Sequence, residues 1–137
     1  MSGSLKDIGH YPAEGPKSRT GQEFYKLTEE DGIYMISGER TPALLSVWAS
    51  NDVVQFGTMK LLAGGACGPY QTEFDTHKGD AVFHVLEGTA VFFIKDRKES
   101  FEVARGDFMF IPKGECYKII NYYGESVKLI FSVAPEL

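Results

Sequence analysis

The fold of this chain is decided by residues 106–121, which read GDFMFIPKGECYKIIN. Two apolar runs in this stretch are separated by Pro112 and Gly114, a pair that ends one strand and turns the chain into the next. Short β-branched and aromatic runs divided by turn residues continue on both sides of it. Because no helical periodicity competes over a useful length, the pattern predicts an all-β domain of many short strands.

The spacing of these runs is typical of a β-sandwich or a jelly-roll barrel over residues 32–137. Residues 1–31 are polar and broken by glycine and proline, so we expect a flexible or partly ordered N-terminal arm there. A chain of 137 residues fits one domain with its own core. The predicted strands are Ile33–Ile36, Leu44–Trp48, Val53–Leu62, Tyr70–Phe74, Ala81–Leu86, Thr89–Ile94, Ser100–Val103, Phe108–Ile111, Tyr117–Asn121 and Val127–Val133.

The charge balance narrows the classes of partner. The net charge is −5, whereas binding to nucleic acid or to an anionic membrane needs clustered lysine and arginine. Only Cys67 and Cys116 are present, which favours free thiols in a reducing compartment over a secreted disulfide scaffold. No window is apolar enough for a membrane span or a signal peptide, so we expect a soluble intracellular protein.

Successive residues of a strand point to opposite faces of the sheet, and in these strands both sets are apolar. A sheet with one face in water would have polar residues on that face. We place one set of side chains in the barrel interior: Ala81, Phe83, Val85, Phe108 and Phe110. Something must therefore cover the outer set, either the N-terminal segment or a second copy packed sheet against sheet. Since residues 1–30 are too polar to cover much surface, we favour a homodimer.

The dimer interface expected from this alternation is the outer set of apolar side chains and one histidine. These residues are Val82, His84, Leu86, Met109, Ile111, Ile120 and Ile130. An obligate interface of this kind buries on the order of 1,500–2,500 Å² in total.

Residues 75–88 read DTHKGDAVFHVLEG and, together with residues 106–121, resemble the two sequence motifs of the cupin superfamily. The spacing from His77 through Ala81 to Gly88 matches the first motif. The spacing of glycine, proline and asparagine in residues 106–121 matches the second. The resemblance implies a cupin jelly-roll β-barrel over residues 32–137.

In metal-binding cupins the two motifs place histidines and a glutamate inside the barrel. At the matching positions this chain has Asp75, His77, Ala81 and Tyr117. A catalytic metal site normally needs three protein ligands, and alanine offers none, while a neutral tyrosine is a poor ligand because its pKa is near 10. We therefore expect no metal and no other cofactor.

A second interpretation of the same positions is enzymatic. Some sugar-nucleotide epimerases and isomerases with a cupin-like fold use a histidine base, an orienting aspartate and a tyrosine acid, without a metal. Asp75, His77 and Tyr117 could form such a set. Because the inward side chains predict a packed interior, we assign no catalytic residue and keep this enzyme as the alternative.

Among cupins, residues 106–121, with residues 127–134 and 56–62, are most similar to the C-terminal cupin of the centromere protein C family. Tyr117 matches the tyrosine that this family has in place of the ligand histidine. The resemblance implies homodimerisation of a kinetochore scaffold in the nucleus, at the centromere, and docking of a loading factor of the centromeric histone or another kinetochore protein. Glu115 departs from the family's asparagine. The 137 residues hold no arginine-rich nucleosome-binding motif, so no nucleic-acid contact is expected through this domain.

Overall fold

The computed structural model describes residues 11–12, 24–37, 43–51, 54–64, 77–97 and 99–134. These residues form nine strands and, ahead of them, one 3₁₀ turn at Glu29–Asp31. The predicted strand Tyr70–Phe74 lies outside the described residues. The strands are β1 (Ile33–Ser37), β2 (Ala43–Ser50), β3 (Gln55–Leu61), β4 (Asp80–Glu87), β5 (Thr89–Ile94), β6 (Glu99–Ala104), β7 (Phe108–Ile111), β8 (Tyr117–Ile120) and β9 (Val127–Ala134).

The strands form two antiparallel sheets, as the turn spacing predicts. The large sheet has the order β1-β2-β3-β9-β4-β7, and the small sheet has the order β6-β5-β8. Neighbours in the sheets are often distant in sequence, and this crossing between layers is that of a jelly-roll β-sandwich. Across the described segments, no helix has the length and hydrophobicity needed to span a membrane.

The core lies between the two sheets and contains side chains from both. Phe83 from β4 and Phe92 from β5 meet with ring centroids 5.2 Å apart at an interplanar angle of 57°, a favourable tilted geometry. Ala81, Phe83 and Val85 belong to this core, as their alternation in the sequence predicts. The described side chains therefore form a packed apolar layer at the level of β4.

Two turns fix how the sequence motifs meet. Gly88 joins β4 to β5 with a φ of 77°, a left-handed conformation that glycine adopts without steric cost. A Cβ at this position would lie 2.6 Å from the Ser126 carbonyl oxygen, so only glycine fits. In the turn between β7 and β8, the Gly114 N–H donates to the His77 carbonyl oxygen at 2.9 Å. This hydrogen bond connects the second sequence motif, at Gly114, to the start of the first motif, at His77.

The orientation predicted for β7 is wrong. Phe108 and Phe110 are 67% and 57% exposed, whereas Ile111 is 2% exposed and Met109 packs against the core. The register explains the inversion, because Ile111 pairs with the inward-facing Ala81 of β4. Directly opposite residues of an antiparallel pair share a face, so Met109 and Ile111 point inward and the two phenylalanines point outward.

The described part of the N-terminal region contacts the large sheet near one end. The Trp48 indole N–H donates to the Thr28 carbonyl oxygen at 2.8 Å, and the Tyr11 backbone pairs with Ser50. These contacts lie at β2. They leave Phe56 on β3 and the phenylalanines of β7 exposed. The part of the N-terminal region that the structure describes therefore does not cover the outer face of the large sheet.

Candidate functional site: the barrel interior and the outer sheet faces

The two motif residues His77 and Tyr117 meet inside the barrel. The His77 Nε2 and the Tyr117 hydroxyl oxygen are 2.6 Å apart, a hydrogen bond whose donor depends on the histidine tautomer. His77 is half-buried and is positioned by the turn that binds its carbonyl group. Tyr117 is only 2% exposed. Its ring packs edge-on against Phe83, with centroids 5.6 Å apart. The pair therefore joins a half-accessible imidazole to a phenol that belongs to the core.

The donor set at these positions does not fit the metal centre of metal-binding cupins. Ala81 is buried and contributes only a methyl group, and Tyr117 already bonds to His77. Asp75 lies outside the described residues. Among the residues that the structure describes, no three His, Cys, Asp or Glu side chains are close enough to share an ion. The described residues at these positions therefore do not supply the three ligands of a catalytic metal centre.

Asn121, the last residue of the second motif, has a structural role. It is fully buried, and its side-chain amide nitrogen lies 2.6 Å from the Glu125 carbonyl oxygen and 3.3 Å from that of Leu61. Its Oδ1 accepts a hydrogen bond from the Tyr123 N–H at 3.0 Å. One side chain thus ties the end of β3 to the turn after β8, which explains why this position needs an amide.

The outer face of the large sheet is mostly apolar, with a few small polar side chains and one histidine among the apolar ones. Cross-strand pairing aligns Phe56, Ser132, Val82 and Phe110 in one row, and Thr58, Ile130, His84 and Phe108 in the next. Phe56 and Val82 are 41% and 40% exposed. The imidazole of His84 stacks on the Phe108 ring at 4.1 Å between centroids, with an interplanar angle of 8°. Four of the predicted interface residues belong to this face: Val82, His84, Leu86 and Ile130.

The other three predicted interface residues lie elsewhere. Met109 and Ile111 face the core, as described above. Ile120 is on β8 of the small sheet, where it pairs with Val91, and both are buried on that sheet's outer side. Phe108 and Phe110 take the exposed positions that alternation assigned to Met109 and Ile111. Sequence alternation separated the two faces of β7 but could not say which one is exposed.

A cleft of about 160 Å³, which no sequence pattern indicated, opens between β6 and β7. Among the described strands, each of these two is at the edge of its sheet, so the cleft lies where the two layers part. Its lining residues are Ile94, Arg97, Glu99, Phe101, Met109, Phe110, Ile111, Pro112 and Glu115. They come from three strands and two turns, so no local motif could have identified them.

The comparisons with known proteins agree with this architecture. Residues 59–133 match the sequence profile described as the cupin domain. No protein of curated function matches the chain by sequence. Several solved structures share its fold. A predicted oxalate decarboxylase from Thermotoga maritima is 17% identical, with a TM-score of 0.68, and the match covers 81% of this chain and 99% of that one.

Two further solved structures have the same fold at similar identity. A conserved protein of unknown function from Streptococcus pyogenes is 19% identical, with a TM-score of 0.61 and coverage of 82% of this chain and 90% of that one. The Cnp3 cupin domain from Schizosaccharomyces pombe is 18% identical, with a TM-score of 0.58 and coverage of 68% and 64%. At these identities the likeness concerns the fold alone. The profile match spans more than half of the sequence, and the chain belongs to the cupin domain family.

Proposed function

We propose that this cupin domain is a homodimerisation and protein-docking module whose dimer interface is the outer face of the large sheet. The observation that carries the proposal is the exposure of Phe56, Val82, Phe108 and Phe110 on one continuous surface. Soluble monomers rarely expose contiguous apolar patches of more than a few hundred Å². A second copy of the same surface would remove these side chains from water.

The chemistry of this face suits packing against itself. The two rows around Val82 and His84 contain aromatic, aliphatic and small polar side chains, with lysines at positions 60 and 128 in the next row. Two-fold symmetry places the same patch on both subunits, and an apolar centre with a charged margin is the usual anatomy of such an interface. We expect about 1,500–2,500 Å² to be buried in total.

Sedimentation equilibrium of the purified chain and of Phe108→Asp tests the proposal. The wild type should be a dimer, and the variant should dissociate at least about a hundredfold more easily, because a carboxylate would be buried without a partner. The matched control is Phe24→Asp, since Phe24 is almost fully exposed and lies off the sheet. A wild-type monomer, or a Phe108→Asp variant as dimeric as the control, would contradict the proposal.

The finer proposal concerns where this module acts. Residues 106–121 resemble the centromere protein C cupin, and the chain shares its fold with the Cnp3 cupin domain. On this support we propose a scaffold role at the centromere, in the nucleus, with a loading factor of the centromeric histone or another kinetochore protein as the docked partner. A fluorescent fusion should coincide with the centromeric histone in the source cells. A diffuse signal would contradict this location and leave the dimer proposal standing.

A second candidate function is a metal-free isomerase or epimerase, and the His77–Tyr117 hydrogen bond favours it. In that reaction His77 would remove a proton beside a carbonyl group, and Tyr117 would donate one. The test is deuterium incorporation from heavy water into a nucleotide-linked 4-keto sugar, with His77→Ala as the control. Incorporation that the control abolishes would establish this reaction. No incorporation above the control would exclude it for that substrate class.

A further inference from the structure

The cleft between β6 and β7 has the shape and surroundings of a binding site for one side chain. Its volume is about 160 Å³, which is less than the roughly 300–1,000 Å³ of pockets that hold whole small-molecule ligands. Its floor contains Ile94 and Ile111, both buried in the core, and Met109. Phe101 is partly exposed at one wall. One large apolar side chain would replace water against these four residues.

The strands that border the cleft favour a ligand in extended conformation. Within the part of the chain that the structure describes, β7 pairs with β4 alone and β6 pairs with β5 alone, so each presents one unpaired edge. An unpaired edge is a template for an added strand, because its backbone N–H and C=O groups need partners. Natural edges are usually protected by charged residues. β6 carries Glu99 and Glu102, whereas the four residues of β7 are all apolar.

The charges at the cleft indicate the composition of the ligand. Three charged side chains line it, two carboxylates (Glu99 and Glu115) and one guanidinium (Arg97). The balance is negative, so basic residues beside the apolar anchor would be attracted and acidic ones repelled. An anchor that points into the cleft places its two neighbours on the opposite face of the added strand, and the residues at ±2 return to the cleft side.

We propose that β7 accepts an extended peptide strand of a protein partner, with one large apolar side chain in the cleft and lysine or arginine two residues away. This inference rests on the docking role proposed above and specifies where and what the module docks. Strand addition extends the large sheet within its own plane. It therefore leaves the outer face of that sheet free to pack against a second copy.

The test uses the full chain and a fluorescein-labelled peptide, measured by fluorescence anisotropy. The peptide is an acetylated nonapeptide of threonine and valine with a central phenylalanine and lysine at the two positions ±2 from it. It should bind saturably, and Phe101→Ala should weaken binding about tenfold or more, as expected for the loss of an interface anchor. Glu99→Lys should also weaken it. Its matched control Glu87→Lys, an exposed carboxylate of β4 outside the cleft, should change it less than about twofold.

Two changes to the probe separate strand addition from other modes of binding. Replacing both lysines by glutamate should weaken binding, and methylating the backbone amides that face β7 should abolish it, because the ladder hydrogen bonds are lost. If N-acetylphenylalanine amide competed as well as the whole peptide, the cleft would be a small-molecule site and the inference would be wrong. Equal binding to the wild type and Phe101→Ala would also overturn it.

Sedimentation of the same samples distinguishes the two proposals. A dimer that binds no peptide would overturn the docking inference and leave dimerisation through the outer face intact. A monomer that binds the peptide through Phe101 would support the docking inference and contradict dimerisation through the outer face.

Discussion

Both sheets have apolar side chains on their outer faces, but these side chains differ in how much of them is exposed. The small sheet has Val91, Phe93 and Ile120 on its outer side, and the large sheet has Phe56 and Val82 at comparable positions. Val91 and Ile120 are buried, whereas Phe56 and Val82 are exposed. An apolar outer face is therefore not in itself evidence of an interface, because the chain can cover such a face by itself.

The cover of the small sheet comes from the residues that follow β8. Tyr122 meets Phe93 at 6.1 Å between ring centroids in a T-shaped pair. Tyr123, which follows β8, bonds to Glu102 on β6, so it crosses the middle strand β5 at Val91. This hydrogen bond raises the pKa of the Tyr123 phenol. Over the centre of the large sheet, the described residues supply no comparable segment.

The largest effect is expected at Ile111, which faces the core. A charge on the core face of β7 should affect folding, whereas a charge on its outer face should affect association. Ile111→Asp places a carboxylate in the core and should destabilise the monomer by more than about 3 kcal/mol. Urea denaturation of a dilute sample measures this. A variant that remained stable but became monomeric would mean that Ile111 faces outward after all.

Shortening a side chain of the small sheet beneath Tyr122 and Tyr123 should affect folding alone. Ile120→Ala should lower the free energy of unfolding by about 2–4 kcal/mol, because it leaves a cavity among buried residues. The dissociation constant of the dimer, from sedimentation equilibrium below the unfolding transition, should not change. A dimer weakened more than about threefold would show that the small sheet also takes part in association.

Polar replacements on the outer face of the large sheet should weaken the dimer and leave the stability of the monomer nearly unchanged. Phe56→Ser combined with Val82→Thr should raise the dissociation constant of the dimer about tenfold, which corresponds to about 1.4 kcal/mol. Thermal unfolding of the monomer should change little, since both side chains are already partly exposed. If the melting temperature fell and the dissociation constant did not, the face would be covered within the chain.

The smallest effect is expected at the hydrogen bond between Tyr123 and Glu102. The pKa of Tyr123 lies above the usual value of 10, chiefly because its hydroxyl donates to the carboxylate. A raised pKa favours the protonated phenol in the folded state, so this stabilisation is complete below about pH 10 and disappears as the pH rises through the folded-state value. NMR titration of the tyrosine ring carbons should show the pKa of Tyr123 falling toward 10 in Glu102→Gln. An unchanged pKa would mean that the carboxylate is not its cause.

The strand pattern could be predicted because it depends on local properties of the chain. Turn residues and short apolar runs predict Phe108–Ile111 with its observed bounds, and they predict Ala81–Leu86 within one residue at each end of the observed β4. The second motif predicted the turn between β7 and β8, where Gly114 has a φ of 81°. These features follow from backbone chemistry within a few residues.

The orientation of β7 and the cleft could not be predicted for the opposite reason. All four residues of β7 are apolar, so alternation gives two possible faces, and only the register with β4 selects one. The cleft brings together Ile94, Phe101 and Ile111 from three different strands. Their proximity depends on the order of the strands in both sheets, which no local pattern encodes.

The position of β7 at the edge of the described sheet also affects the risk of aggregation during folding. Among the described strands β7 has one unpaired edge, and an apolar run with such an edge can promote cross-β aggregation while a chain is only partly folded. Pro112 follows the run directly, and proline cannot continue a ladder of hydrogen bonds. We therefore expect Pro112 to limit stacking of this edge, and its replacement to lower the yield of soluble protein at high expression.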